Sequence, residues 1–209
     1  MTGDAVVSPP ELLSKHRIEA LTDGIYAVAL TLLVLELRLP AGESRDVAEL
    51  HRGLAHLVPK VFAWLISFGV LAIFWVAHHR AFHWVRHVDG RLMRINLVSL
   101  LFASLVPFCS SLVGEWSRAF VSQAVYALVM AALGLASLWQ LEHLVSHPAL
   151  LASPMPAGIV RAARVRTLGL VATAGVAVLI AAWRPVLATM AFALMAVVDP
   201  LSRRLERDR

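Results

Sequence analysis

The sequence predicts an all-α, polytopic membrane protein, and three observations carry that prediction. Hydrophobic residues make up 59% of the 209 residues and charged residues only 16%, with a mean hydropathy of +0.72, far more apolar than a soluble domain of this length requires. Apolar runs recur along the whole chain at lengths near the ~20 residues that cross a ~30 Å hydrocarbon core. The segments between them are short and hold most of the Lys and Arg. Backbone amides have no water to bond in hydrocarbon, so such runs are expected as helices.

Six spans follow in order. The first, Ile18–Leu37, is opened by Thr22 and Asp23 and continues as an apolar run. The second, Val58–Ala77, stops at His78, His79 and Arg80. The third, Ile95–Leu112, begins beside Asn96 and carries Pro107, which removes one backbone donor and is expected to kink the helix. The fourth, Phe120–Leu141, is rich in Ala, Leu and Val. The fifth, Thr167–Trp183, follows the basic segment of Arg161, Arg164 and Arg166. The sixth, Pro185–Val198, is short and separated from the fifth only by Arg184, so the two are expected to form a tight hairpin or a broken pair. A polar outer loop over 38–57 and an inner Pro/Ser-containing loop over 146–158 are the longest connections, which leaves 1–209 as a single six-span domain.

Lys and Arg set the orientation. Lys15, Arg17, Arg80, Arg86, Arg91, Arg94, Arg161, Arg164, Arg166, Arg203, Arg204, Arg207 and Arg209 fall on the N-terminal side, against Arg38, Arg45, Arg52, Lys60, Arg118 and Arg184 opposite. That bias predicts both termini in the cytoplasm. The first seventeen residues lack the pattern of a cleaved signal peptide, so the first span is expected to remain. The net charge of +5 is spread around the spans instead of forming one stripe, which fits a membrane surface and not nucleic acid. Cys109 is the single cysteine, so no disulfide forms within one chain.

At about 100° per residue, Val28, Thr31, Leu32 and Leu35 share a stripe of about 100° on the first span, while Asp23 points to the far side. The stripe is either a lipid-facing or packing surface, or a face that meets copies of itself around a symmetry axis and lines a pore; spacing does not choose. A carboxylate at membrane depth needs partners, and Arg17, Trp75, His78 and Asn96 lie at a matching depth. A network of these groups would hold three helices together. A proton relay through Asp23 and His78 is the sharper alternative.

Three linked motifs carry a resemblance. Arg17 is followed by Leu21-Thr22-Asp23 and the apolar GIYAVALTLLVLEL; Trp75 is followed by His78, Arg80 and Phe82; Asn96 is followed by Val106-Pro107-Phe108. In this order they resemble the bacterial relatives of the lysosomal potassium channel transmembrane protein 175, over residues 14–113 and beyond that by span count. Leu21 stands where that family has Phe, and Thr22 where it has Ser, which keeps the hydroxyl. The resemblance implies a homotetrameric potassium-permeable cation channel of the inner (plasma) membrane, with no cofactor and no Thr-Val-Gly-Tyr-Gly filter; none occurs in this chain. It maps the pore constriction onto Val28, Leu32 and Leu35, with Thr31 as a pore-facing hydroxyl. Arg17, Thr22, Asp23, Trp75, His78 and Asn96 become the structural network.

Other clusters point elsewhere. His79, His83 and His87 would share a face if the second helix continued, a spacing able to bind metal or haem. Glu36, Glu43, Asp46 and Glu49 are expected on the outer side, where their field would concentrate cations or simply be solvated. No phosphate loop, metalloprotease motif or activated nucleophile supports an enzyme. A proton-coupled carrier is the main alternative to a channel.

Overall fold

The computed structural model describes residues 14–39 and 46–205. Pro40, Glu43, Arg45, Arg207, Arg209, the Arg203 side chain and the segment before Ser14 lie outside that description.

Helices dominate: α1 Lys15–Leu35, α2 Val47–His83, α3 Gly90–Glu115, α4 Phe120–Ser146, α5 Ala157–Trp183, α6 Pro185–Ala188 and α7 Met195–Leu205. Six stretches are long and apolar enough to cross a membrane, the last being Pro185–Ser202. Among the described residues the one extended pairing is an isolated bridge between Val85 and Leu151.

The helices overrun the spans read from hydropathy, for a physical reason. Hydropathy reports the hydrocarbon-facing part of a helix, whereas the backbone goes on pairing in water. At 37 residues α2 is about 55 Å long, well beyond a ~30 Å core. Its first turns, Val47–Leu57, occupy half of what reads as a polar loop. Likewise α5 starts at Ala157, not Thr167, and its exposed Arg164 forks onto Glu142 of α4 at 2.7 and 2.8 Å. Asp89 starts α3 by accepting the Leu92 amide at 2.6 Å, as an N-cap should. Pro107 sits inside α3 without ending it.

The sixth span is broken within itself. Between α6 and α7, residues Thr189–Leu194 wind as a tighter 3-10 segment. Irregular backbone at membrane depth survives where protein covers it. Here Thr189, Ala191 and Phe192 are buried, and the Thr189 hydroxyl donates to Gln123 Oε1 at 2.6 Å.

The core runs through the bundle as Tyr26, Leu33, Phe74, Leu100, Tyr126, Met130, Leu170 and Phe192. Tyr126 meets Phe192 edge-on at 5.1 Å and shares a 3.0 Å hydrogen bond with Ser67. The most extensive pairing is α4 with α5. Gly134 permits it, because a Cβ there would lie 3.2 Å from the Thr167 carbonyl oxygen.

A smaller cluster closes the end that holds both described termini. Ile18, Phe82, Val85, Val88, Leu92 and Leu144 pack together, while Arg86 N donates to Leu150 O and Ala152 N to Trp84 O, each at 2.8 Å. We call this the inner end, and the end with the α1 C-terminus the outer end.

Candidate functional site

Two faces of α1 have opposite environments. Ile18, Thr22, Tyr26, Ala29 and Leu33, spaced by four, four, three and four, are buried against the bundle. Val28, Leu32 and Leu35 are 56%, 43% and 54% exposed, and Thr31 is exposed with them. The Thr31 hydroxyl is within reach of Ala27 O and Val28 O at 3.0 and 2.9 Å. Its proton stays on the helix backbone, so its lone pairs face outward. Beside the stripe, a groove of about 410 Å³ runs between Leu21, Gly24, Val28 and Leu32 of α1 and Ser104 of α3.

The buried face ends in a polar chain at the inner half of the membrane. Asn96, 1% exposed, is its hub. Its Nδ2 donates to Thr22 Oγ1 at 3.1 Å, and its Oδ1 lies 2.9 Å from His78 Nε2 and 3.4 Å from Gln140 Nε2. One side chain thus ties α3 to α1, α2 and α4. His78 also stacks on Phe82 at 4.1 Å. A cavity of about 40 Å³ adjoins the chain, lined in part by His78, Ser99, Ser137, Gln140, Arg166 and Thr167, with room for a water molecule.

The expected network is therefore assembled in part. Thr22, His78 and Asn96 meet. Asp23 is exposed, and it accepts the Trp75 indole N–H at 2.9 Å instead of bonding to His78 or Asn96. Its angle on α1, well away from the buried face, is the reason. The Arg17 side chain is exposed and makes no hydrogen bond or ion pair among the described residues. Gln140 is the member that sequence reading missed; it is one of two amides, with Gln123, in the otherwise apolar fourth span, and that was the available signal.

Two further polar links lie at the ends. At the outer end the Ser111 hydroxyl donates to Glu36 Oε2 at 2.7 Å. At the inner end the buried His143 places Nε2 3.1 Å from Asp89 Oδ2. Partial burial opposes ionisation of Asp89, but the Leu92 amide and the His143 imidazole outweigh it and hold the carboxyl below its ordinary range.

The shared histidine face does not form. Helix α2 stops at His83, capped by Trp84, so His87 leaves the helix and the four-residue repeat is broken. Among the described residues no three His, Cys, Asp or Glu side chains converge as a metal site requires.

The known relatives are channels. A sequence profile described as endosomal/lysosomal potassium channel TMEM175 matches residues 17–107. A potassium channel of Streptomyces collinus is 36% identical over 175 residues, covering 77% of this chain and 81% of that protein. The human endosomal/lysosomal proton channel TMEM175 is 33% identical over 116 residues, covering 52% of this chain and 23% of that protein. The crystal structure of a lysosomal potassium-selective channel TMEM175 homologue from Chamaesiphon minutus superposes with a TM-score of 0.77 at 28% identity, covering 90% of this chain and 97% of that one. The profile match takes in the α1 stripe and the Thr22, Asn96 and His78 chain, and the Streptomyces relative is covered over most of its length, so this multi-pass membrane protein belongs to the TMEM175 family.

Proposed function

We propose that the chain is a potassium-permeable cation channel of the bacterial plasma membrane, assembled as a homotetramer with α1 of each subunit lining the pore. The observation that carries this reading is the division of α1: one stripe is buried in its own bundle, while Val28, Thr31, Leu32 and Leu35 are left uncovered. The groove alongside supplies a surface on which a neighbouring copy would rest. The potassium channels of Streptomyces collinus and Chamaesiphon minutus among the relatives support the choice of ion.

The mechanism follows from the side chains. Val28 and Leu35 are seven residues apart, so the apolar constriction extends about 10 Å along the axis. A channel walled by methyl groups conducts only while it is wide enough to stay wet, and it closes by dewetting when it narrows. Nothing in such a wall replaces the hydration shell of the ion, except the outward lone pairs of Thr31, so selectivity is modest and favours the larger, more easily dehydrated cation. The Thr22, Asn96, His78 and Gln140 chain fixes the rotation of α1, which keeps the stripe aimed at the axis. Asp23, held by Trp75, and Arg17 complete this inner collar where subunits meet.

Reconstituted protein in planar bilayers tests the reading. Leu35→Ser and Val28→Ser are expected to raise potassium conductance and lower potassium-over-sodium preference; unchanged currents in both would remove α1 from the pore. The rival reading is a proton-coupled carrier, for which interrupted helices are expected in two corresponding halves, whereas among the described spans the 3-10 break lies in the sixth. Strict dependence of potassium flux on a proton gradient would establish it.

A further inference from the structure

At the outer end two cavities of opposite character adjoin. One, of about 580 Å³, is rimmed by Arg38, His56, Lys60, Glu115 and Ser117. The other, of about 190 Å³, is walled by Val58, Phe62 and Ile66 of α2 and by Val186 and Met190 of the sixth span. They share Pro59 and Ser117, so the polar basin and the apolar groove lie side by side on the same two residues. From Lys60 to Ile66 the groove descends about 9 Å along α2, roughly a third of the hydrocarbon thickness.

The level of the basin is fixed independently. Trp116 and Trp183 are 63% and 87% exposed at this end, as residues of an interfacial aromatic belt are. The basin therefore lies where phospholipid headgroups lie. Its charge is net positive: Arg38 and Lys60 stand against Glu115, with His56 as a further donor. Lys60 is 3.1 Å from Glu115 Oε1, and an ammonium has three donors. Arg38 uses Nε on the Leu35 carbonyl at 3.0 Å, and a guanidinium carries four more N–H groups. The groove beneath, by contrast, has its polar floor already satisfied: Gln123 accepts from Thr189 and donates to Ser117 O. It offers an occupant only methyl and ring surface.

We propose that this paired cavity binds one anionic phospholipid, its phosphate headgroup against Arg38, His56 and Lys60 and one acyl chain along Phe62, Ile66, Val186 and Met190. A zwitterionic lipid satisfies the groove but returns a cation to a basin that is already positive. A free phosphate satisfies the basin but leaves the groove empty. Only an anionic amphiphile matches both. Because Arg38 is bonded to the last turn of α1, the bound headgroup also meets the outer end of that helix.

Native mass spectrometry of the full-length complex tests this, using phosphatidylglycerol and phosphatidylcholine with identical acyl chains, and glycerol phosphate as the chain-free probe. Phosphatidylglycerol is expected to be retained about fivefold to tenfold more than phosphatidylcholine, from one net basic charge at the surface, and glycerol phosphate not at all. Arg38→Gln, which leaves the Lys60 and Glu115 pair intact, is expected to erase the preference while keeping both lipids. Met190→Trp, at an exposed position, is expected to lower retention of both. Equal retention of the two lipids by the wild type overturns the proposal, as does a preference untouched by Arg38→Gln. Photo-crosslinking from position 62 to a second copy of the chain, in place of lipid, would overturn it by giving the groove to a subunit contact.

Discussion

Replacing Asn96 with Ala removes the hub that joins four helices. It deletes three hydrogen bonds at once, to His78 at 2.9 Å, Thr22 at 3.1 Å and Gln140 at 3.4 Å. Interhelical hydrogen bonds in membranes average about 0.6 kcal/mol each, which sets a lower bound near 2 kcal/mol. Stranding the His78 and Gln140 nitrogens in a buried site costs about 1–3 kcal/mol per group when neither finds water. The adjacent cavity relieves part of that, so the expected loss is about 2–4 kcal/mol. For a protein of this size that corresponds to a fall in Tm of about 5–15 °C. Thermal unfolding of the solubilised complex, followed by tryptophan fluorescence and by recovery of a monodisperse peak, measures it. Ser146→Ala is the control, because that hydroxyl is exposed at the end of α4 and bonds only locally, to Glu142 O, His143 O and His147 Nδ1, so no change is expected. A cycle with Gln140→Ala should show coupling, since each removes the other's partner. A shift below about 2 °C for Asn96→Ala, or zero coupling in the cycle, would refute the idea that this chain sets the position of α1.

Three more tests probe other parts of the structure. Gly134→Ala places a Cβ 3.1 Å from Val171 Cγ2 and 3.2 Å from the Thr167 carbonyl, forcing α4 and α5 apart at a cost of about 1–3 kcal/mol, whereas Gly175→Ala meets nothing within 4 Å and should leave Tm unchanged or raised. The Asp89 carboxyl has its folded pKa below its unfolded value, so its contribution is complete above the ordinary carboxylate range and is lost as pH falls through the folded value. An acid titration of stability should thus fall less steeply for Asp89→Asn than for the wild type below about pH 4; identical slopes would deny the link. Thr31→Val keeps the shape and removes the outward oxygen, so the potassium-over-sodium permeability ratio should fall while the assembly stays intact; an unchanged ratio would take Thr31 out of the conduction path.

Periodicity and depth made much of this legible beforehand. Spans can be read because hydrocarbon thickness imposes a length on apolar runs, and Thr22, His78 and Asn96 could be grouped because each sits within about one turn of the inner boundary of its span. The rest depends on rotation about helix axes, which packing decides. Asp23 is one residue from Thr22, yet about 100° of turn carries it off the buried face and onto Trp75. Arg17 shares the depth of the network but not its face. Gln140, Ser111 and His143 find partners 44, 75 and 54 residues away, and nothing local marks those pairings. The aqueous ends of α2 and α5 escaped because solvated polar residues read as loop whether or not the backbone stays helical. His87 was misplaced for the converse reason: a four-residue spacing says nothing of where a helix stops, and this one stops at His83.

The most direct measurement is the current carried by the purified, reconstituted complex under a potassium gradient with no proton gradient. A passive, voltage-driven potassium current, at a unit rate beyond a carrier's and altered by Leu35→Ser, is the expected result. A stable monomer that carries no current, or a flux that vanishes without a proton gradient, would contradict a pore built from the exposed stripe of α1.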